Sequence, residues 1–141
     1  MIATYFGERL DTGNEYGIIN SLDKFKPGND DLYNKREAYV ASGSLNLLEP
    51  ALTVTHANGD KSVVLQYVGH EIDKIDEDRT LTSIVLRDSQ FDFQVTLFYL
   101  GYKNEDVIEQ WSEIEHHEKK AVELQKYASA NLTFTGNEFY L

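Results

Sequence analysis

The sequence predicts an all-β fold, an antiparallel β-sandwich. Three observations predict it. From Leu52 onward apolar residues recur at every second position, the spacing at which a strand presents one face to a core. Clusters of Gly, Asn, Asp and Lys separate those runs, as the residues of tight turns do. The chain has 141 residues, 41% hydrophobic and 12% aromatic, which suits one domain with a single core.

Taken in order, Ile2 to Phe6 reads as a short strand. Gly7 to Asn46 is the least regular stretch, punctuated by Gly7, Gly13, Gly17, Pro27-Gly28 and Gly43, with Asn29-Asp30-Asp31 between. A loop region of that length in a compact domain is usually functional or ordered against something else. Ala38 to Ala41 reads as a brief strand. At the centre Leu52, Val54 and His56 alternate with Thr53, Thr55 and Ala57, and Val63, Leu65 and Tyr67 with Val64, Gln66 and Val68. Asn58-Gly59 stands between the two arms. The pattern predicts a hairpin closed by a type I′ turn, because both residues tolerate positive φ.

Asp73 to Arg79 is a charged loop. Thr80 to Arg87 alternates as a strand, and Asp88-Ser89-Gln90 turns the chain. Phe91 to Tyr102 is the strongest strand, with Phe91, Phe93, Val95, Leu97 and Tyr99 on one face and Gln94, Thr96 and Phe98 on the other. Lys103 to Asp106 is the next turn. Val107 to Ala128 is ambiguous. Val107, Ile108, Trp111 and Ile114 have the spacing of an amphipathic helix. The rival reading is two strands turning at Glu115 to Lys120. Thr133 to Thr135 and Glu138 to Leu141 read as final strand pieces.

The net charge of −11 argues against nucleic acid and anionic membranes as partners. The absence of cysteine removes disulfides, thiol catalysis and cysteine-rich zinc sites. No apolar run approaches the roughly 20 residues of a membrane span, and no signal peptide opens the chain. A cytoplasmic location is favoured.

Candidate sites are few. His116-His117, between Glu115 and Glu118, has metal-ligand chemistry, but adjacent strand residues point to opposite faces. A solvated turn is the expectation. Gly28-Asn29-Asp30-Asp31 lacks the further spaced oxygens of a calcium loop. The aromatic strand from Phe91 is read as core rather than sugar platform, and His56 and His70 as structural histidines. Asn131-Leu132-Thr133 matches a glycosylation sequon, which acts only in a secretory setting. No metal and no cofactor are expected.

Tyr39 and Gly43, then Glu49-Pro50-Ala51-Leu52, Asn58-Gly59, and Tyr67, His70 and Ile72 follow one another at a spacing that resembles the N-terminal domain of glycoside hydrolase family 36 α-galactosidases (melibiases). Tyr5-Phe6-Gly7 with Arg9-Leu10 resembles their aromatic-Gly-basic segment. Leu81 to Asp88 and Phe93 to Tyr102 resemble their consecutive strands, and Asp106 to Glu115 followed by Ala121 to Gln125 resembles their hairpin. The resemblance implies two strands rather than a helix over Val107 to Ala128. Where relatives carry Asn-x-Gly at that tip, this chain has His116-His117-Glu118.

The resemblance further implies that residues 1–141 are a supersandwich-like N-terminal domain of a bacterial enzyme acting on terminal α-galactosides of the melibiose and raffinose type. Its first strands would be missing, and the catalytic barrel would lie elsewhere. Such a domain would be inert alone, would pack on the barrel of the same chain, and would aid homo-oligomer assembly. Ser21 to Pro27 resembles the family loop whose aspartate reaches the sugar, with one residue fewer between aspartate and proline. That assigns substrate binding to Asp23. The alternative is a stand-alone carbohydrate-binding or protein-interaction sandwich.

Overall fold

The structure is a computed structural model and describes residues 37–44 and 49–132. The strand expected at Ile2 to Phe6, the loop holding Asp23, and the strand pieces expected after Leu132 lie outside those residues.

Among the described residues six strands follow in order: β1 (Leu52–Thr55), β2 (Leu65–Lys74), β3 (Arg79–Asp88), β4 (Phe93–Tyr102), β5 (Val107–His116) and β6 (Glu123–Tyr127). They form two antiparallel sheets, one of four strands in the order β2-β3-β4-β5 and one of two strands, β1-β6. The four-stranded sheet is a meander, which short turns allow. The β2–β3 turn is held by Asp76, whose Oδ1 accepts from the Asp78 and Arg79 N–H groups at 3.0 and 2.7 Å. The Arg79 side chain also keeps the Asp76 carboxyl below the usual carboxylate range. The β4–β5 turn contains Asp106 at φ 52°.

Alternation decides what is buried. On β4, Phe93, Val95 and Leu97 are buried and their neighbours are half-buried. With Leu86 of β3 they meet Leu52 and Val54 of β1 between the two sheets. The alternating strands and the faces read for β4 agree with the sequence expectation.

The central hairpin does not form. The turn is real: the His56 N–H donates to Asp60 O at 2.7 Å, and the Gly59 N–H to His56 O at 2.8 Å. Positive φ falls on Gly59, at 90°, and not on Asn58, so the turn is not type I′, which needs both. Beyond it the arms part. β1 pairs with β6 and β2 with β3. The link crosses the end of the sandwich because Val63 is fully buried there. The Val64 N–H donates to Asp88 Oδ2 at 2.7 Å, which steers the chain onto the second sheet.

β5 and β6 are strands, as the resemblance implied, but the hairpin it implied between them does not form. β5 pairs with β4 and β6 crosses to β1. The expected strand at Ala38 to Ala41 reduces to a parallel bridge between Ala41 and Leu52. Gly43 follows it and donates its N–H to Val63 O at 3.0 Å. A Cβ there would lie 2.5 Å from that oxygen, so the close backbone approach requires glycine.

Candidate functional site

The most chemically distinctive cluster lies where the two sheets are joined. His56 continues the inward series of Leu52 and Val54 past the end of β1 and is 2% exposed. Its ring stacks on Phe91 (centroids 3.7 Å, 10°) and meets Phe93 edge-on at 5.6 Å. Its Nδ1 lies 2.7 Å from Glu118 Oε1. The other carboxylate oxygen, Oε2, accepts the Ala57 N–H at 2.9 Å. A carboxylate only accepts, so Nδ1 carries the ring proton. Nε2 is buried without a hydrogen-bond partner.

Glu118 stands in the link from β5 to β6, which crosses from the large sheet to the small one. His56 and Ala57 stand in the link from β1 to β2, which crosses the other way. One carboxylate therefore ties both crossings together. It can hold them, but with Nε2 shut away from solvent the imidazole cannot serve an external substrate as acid or base. The expectation of a solvated turn at Glu115 to Glu118 fits Glu115, His116 and His117, which are exposed, and is corrected only at Glu118, whose side chain is 9% exposed against 65% for His117. No local signal marks Glu118, because its partner is 62 residues away in the chain.

Burial pushes the Glu118 carboxyl up. Hydrogen bonds from His56 and the Ala57 N–H, with the nearby His56 and His116 rings, pull it down by more, so it lies below the usual carboxylate range. A carboxyl depressed on folding stabilises the fold at pH above its unfolded value. That contribution is lost as pH falls through the folded value. Glu118→Ala leaves the buried His56 Nδ1–H and the part-buried Ala57 N–H without acceptors and is expected to cost about 1–3 kcal/mol at neutral pH. The gap from the parent should close as the pH drops below about 4. Urea melts at several pH values measure both quantities, and a gap that stays constant into acid would contradict the assignment.

The other singled-out residues are dispersed. Tyr39 is buried and donates its hydroxyl to Ala128 O at 3.1 Å; burial pushes its phenol up. Glu49 pairs with Lys126, which pulls its carboxyl down. The Tyr67 hydroxyl lies 2.6 Å from His70 Nδ1 on exposed β2, and Ile72 is 64% exposed beside them. His117 reaches Glu115 at 3.2 Å in the open. Among the described residues no three side chains converge as a metal site. Asp23 lies outside the described residues.

The family model described as the glycosyl hydrolase family 36 N-terminal domain matches residues 1–141. The chain is 24% identical over 145 residues to the alpha-galactosidase Mel36A of Lactobacillus acidophilus, covering 93% of this chain and 19% of that protein. It resembles the crystal structure of an alpha-galactosidase from Lactobacillus brevis with TM-score 0.74 at 18% identity, over 92% of this chain and 20% of that one. A structure of the family 36 alpha-galactosidase AgaB from Geobacillus stearothermophilus matches with TM-score 0.62 at 25% identity, over 67% and 15%. The chain thus spans a fifth or less of the length of each of these three relatives.

Proposed function

The chain belongs to the glycosyl hydrolase family 36 N-terminal domains, and from that membership we propose that it is the non-catalytic N-terminal domain of an enzyme that hydrolyses terminal α-galactosides. The observation that carries this reading is the family match over residues 1–141, supported by its likeness to alpha-galactosidases. The domain packs on a (β/α)₈ barrel in the same polypeptide and helps that polypeptide assemble into oligomers. A barrel takes roughly 200 residues or more, so a chain of 141 residues cannot contain one.

Retaining hydrolysis needs two carboxylates about 5–5.5 Å apart on a rigid site, which this reading assigns to the barrel. The purified chain is expected to show no turnover of a chromogenic α-galactoside. Turnover that is abolished by a mutation within residues 1–141 would overturn the reading.

Through the resemblance of Ser21 to Pro27 to the family loop, the same reading gives Asp23 a part in binding sugar; a charged acceptor makes the stronger hydrogen bonds to hydroxyls. In a polypeptide that joins this domain to its barrel, Asp23→Ala is expected to lower kcat/KM by on the order of ten- to a hundredfold. The melting temperature should stay unchanged. An unaltered kcat/KM would remove Asp23 from the site.

A further inference from the structure

The four-stranded sheet has a second face, and no described strand packs on it. Its register places three rows across the sheet: Glu71, Ser83, Phe98 and Trp111; Asp73, Leu81, Leu100 and Glu109; and Gly69, Val85, Thr96 and Glu113. Residues directly opposite one another share a face. The centre is therefore apolar. Phe98 and Trp111 stack across β4 and β5 with centroids 5.0 Å apart and planes 8° from parallel, and Leu81, Val85 and Leu100 lie half-buried beside them.

Both edges of that centre are acidic. Glu71 and Asp73 line β2, and Glu109 and Glu113 line β5, all exposed. Glu71, Asp73 and Glu113 have no ion pair among the described residues, and Glu109 accepts only the Tyr102 hydroxyl, at 3.1 Å. The arginines of the face stand at its two ends, Arg79 held by Asp76 and Arg87 bonded to Gln94.

The geometry points to this face as a docking surface for a protein whose contact patch is apolar at its centre and carries Lys or Arg on two sides. The outer strands are three spacings apart, so the cations would sit about 14 Å from each other. Charge argues against a second copy of the same face, which would set four carboxylates against four. Ring geometry argues against a sugar. One face of each ring is taken up by the other, which leaves no flat two-ring platform. The inference does not depend on the enzyme to which the domain belongs.

The test uses the whole chain and its only tryptophan, Trp111, as reporter. The probe is a synthetic amphipathic helix of about five turns, with a leucine stripe flanked by lysines on both sides, about 10–12 Å across. Expected are a saturable blue shift of Trp111 emission and no shift with the same peptide carrying glutamates for lysines. The combined Glu71→Lys and Asp73→Lys change should weaken binding about tenfold or more, as loss of complementary charge does. Glu77→Lys with Glu123→Lys, on exposed acids elsewhere, should leave binding unchanged. Circular dichroism melts show that each variant is folded. No shift with the lysine peptide would overturn the proposal, as would equal weakening by the two pairs of reversals. A Trp111 shift produced by raffinose, or by raising protein concentration alone, in place of the peptide would also overturn it, in favour of a sugar or a second copy.

Discussion

Phe93→Ala is expected to destabilise the domain by about 3–5 kcal/mol, the range for deleting a buried aromatic ring. Phe93 is 1% exposed and sits at the junction of two sets of contacts. On one side it belongs to the inter-sheet core with Leu52, Val54 and Leu86. On the other its ring meets the edge of His56, at 82° between planes. The deletion therefore opens a cavity and also removes a wall from the buried histidine. Marginal stability of about 0.05–0.15 kcal/mol per residue makes such a loss a large fraction of the total. Phe93→Leu keeps most of the volume and should cost far less. Urea unfolding midpoints of the two variants make the comparison. Equal costs would mean that ring shape, not volume, matters at this position.

Asp88→Ala is expected to cost about 1.5–3 kcal/mol, since three part-buried backbone N–H groups lose a charged acceptor at once. Asp88 is 7% exposed. Its Oδ1 accepts the Gln90 and Phe91 N–H groups at 2.7 and 2.9 Å, and its Oδ2 accepts the Val64 N–H at 2.7 Å. It closes the β3–β4 turn and fastens the β1–β2 crossing to it. Asp88→Asn keeps one acceptor for the turn and turns an NH₂ against the Val64 N–H, so it should cost less, with the damage confined to the crossing. Amide exchange distinguishes the two. In the Asn variant protection should fall at Val64 and persist at Gln90 and Phe91. Uniform loss at all three would show that Asp88 acts as one unit rather than as two anchors.

Glu118 and Asp88 have a common role that their surroundings in the chain conceal. Each stands among polar residues that read as a turn, Asp88-Ser89-Gln90 and Glu115 to Lys120. Each side chain reaches back to the β1–β2 link, Asp88 to Val64 and Glu118 to His56 and Ala57. Turn chemistry is local and was legible, but the partner across the fold was not. The resemblance motif divides in the same way. Tyr39, Gly43, Ala51 and Leu52 are held by packing or close backbone approach, whereas Tyr67, His70 and Ile72 are exposed on β2, an outer strand among the described residues.

By itself the sequence determined that the chain is β, where most turns fall, and which face of β4 is buried. Those properties follow from side-chain alternation and turn residues, which act over a few positions. The helix-like composition of Val107 to Ala128 was a local signal that lost. β5 found the free edge of β4, and its Trp111 stacks on Phe98 there; packing of that kind overrides intrinsic propensity. Strand partnership was decided only in the tertiary structure. Asn58-Gly59 reads as a hairpin because a turn brings two arms together. Yet β1 buries Leu52 and Val54 by pairing with β6, and Val63 is drawn into the core between the sheets. Burial of apolar side chains across the sandwich outweighs the pairing of neighbours in the chain.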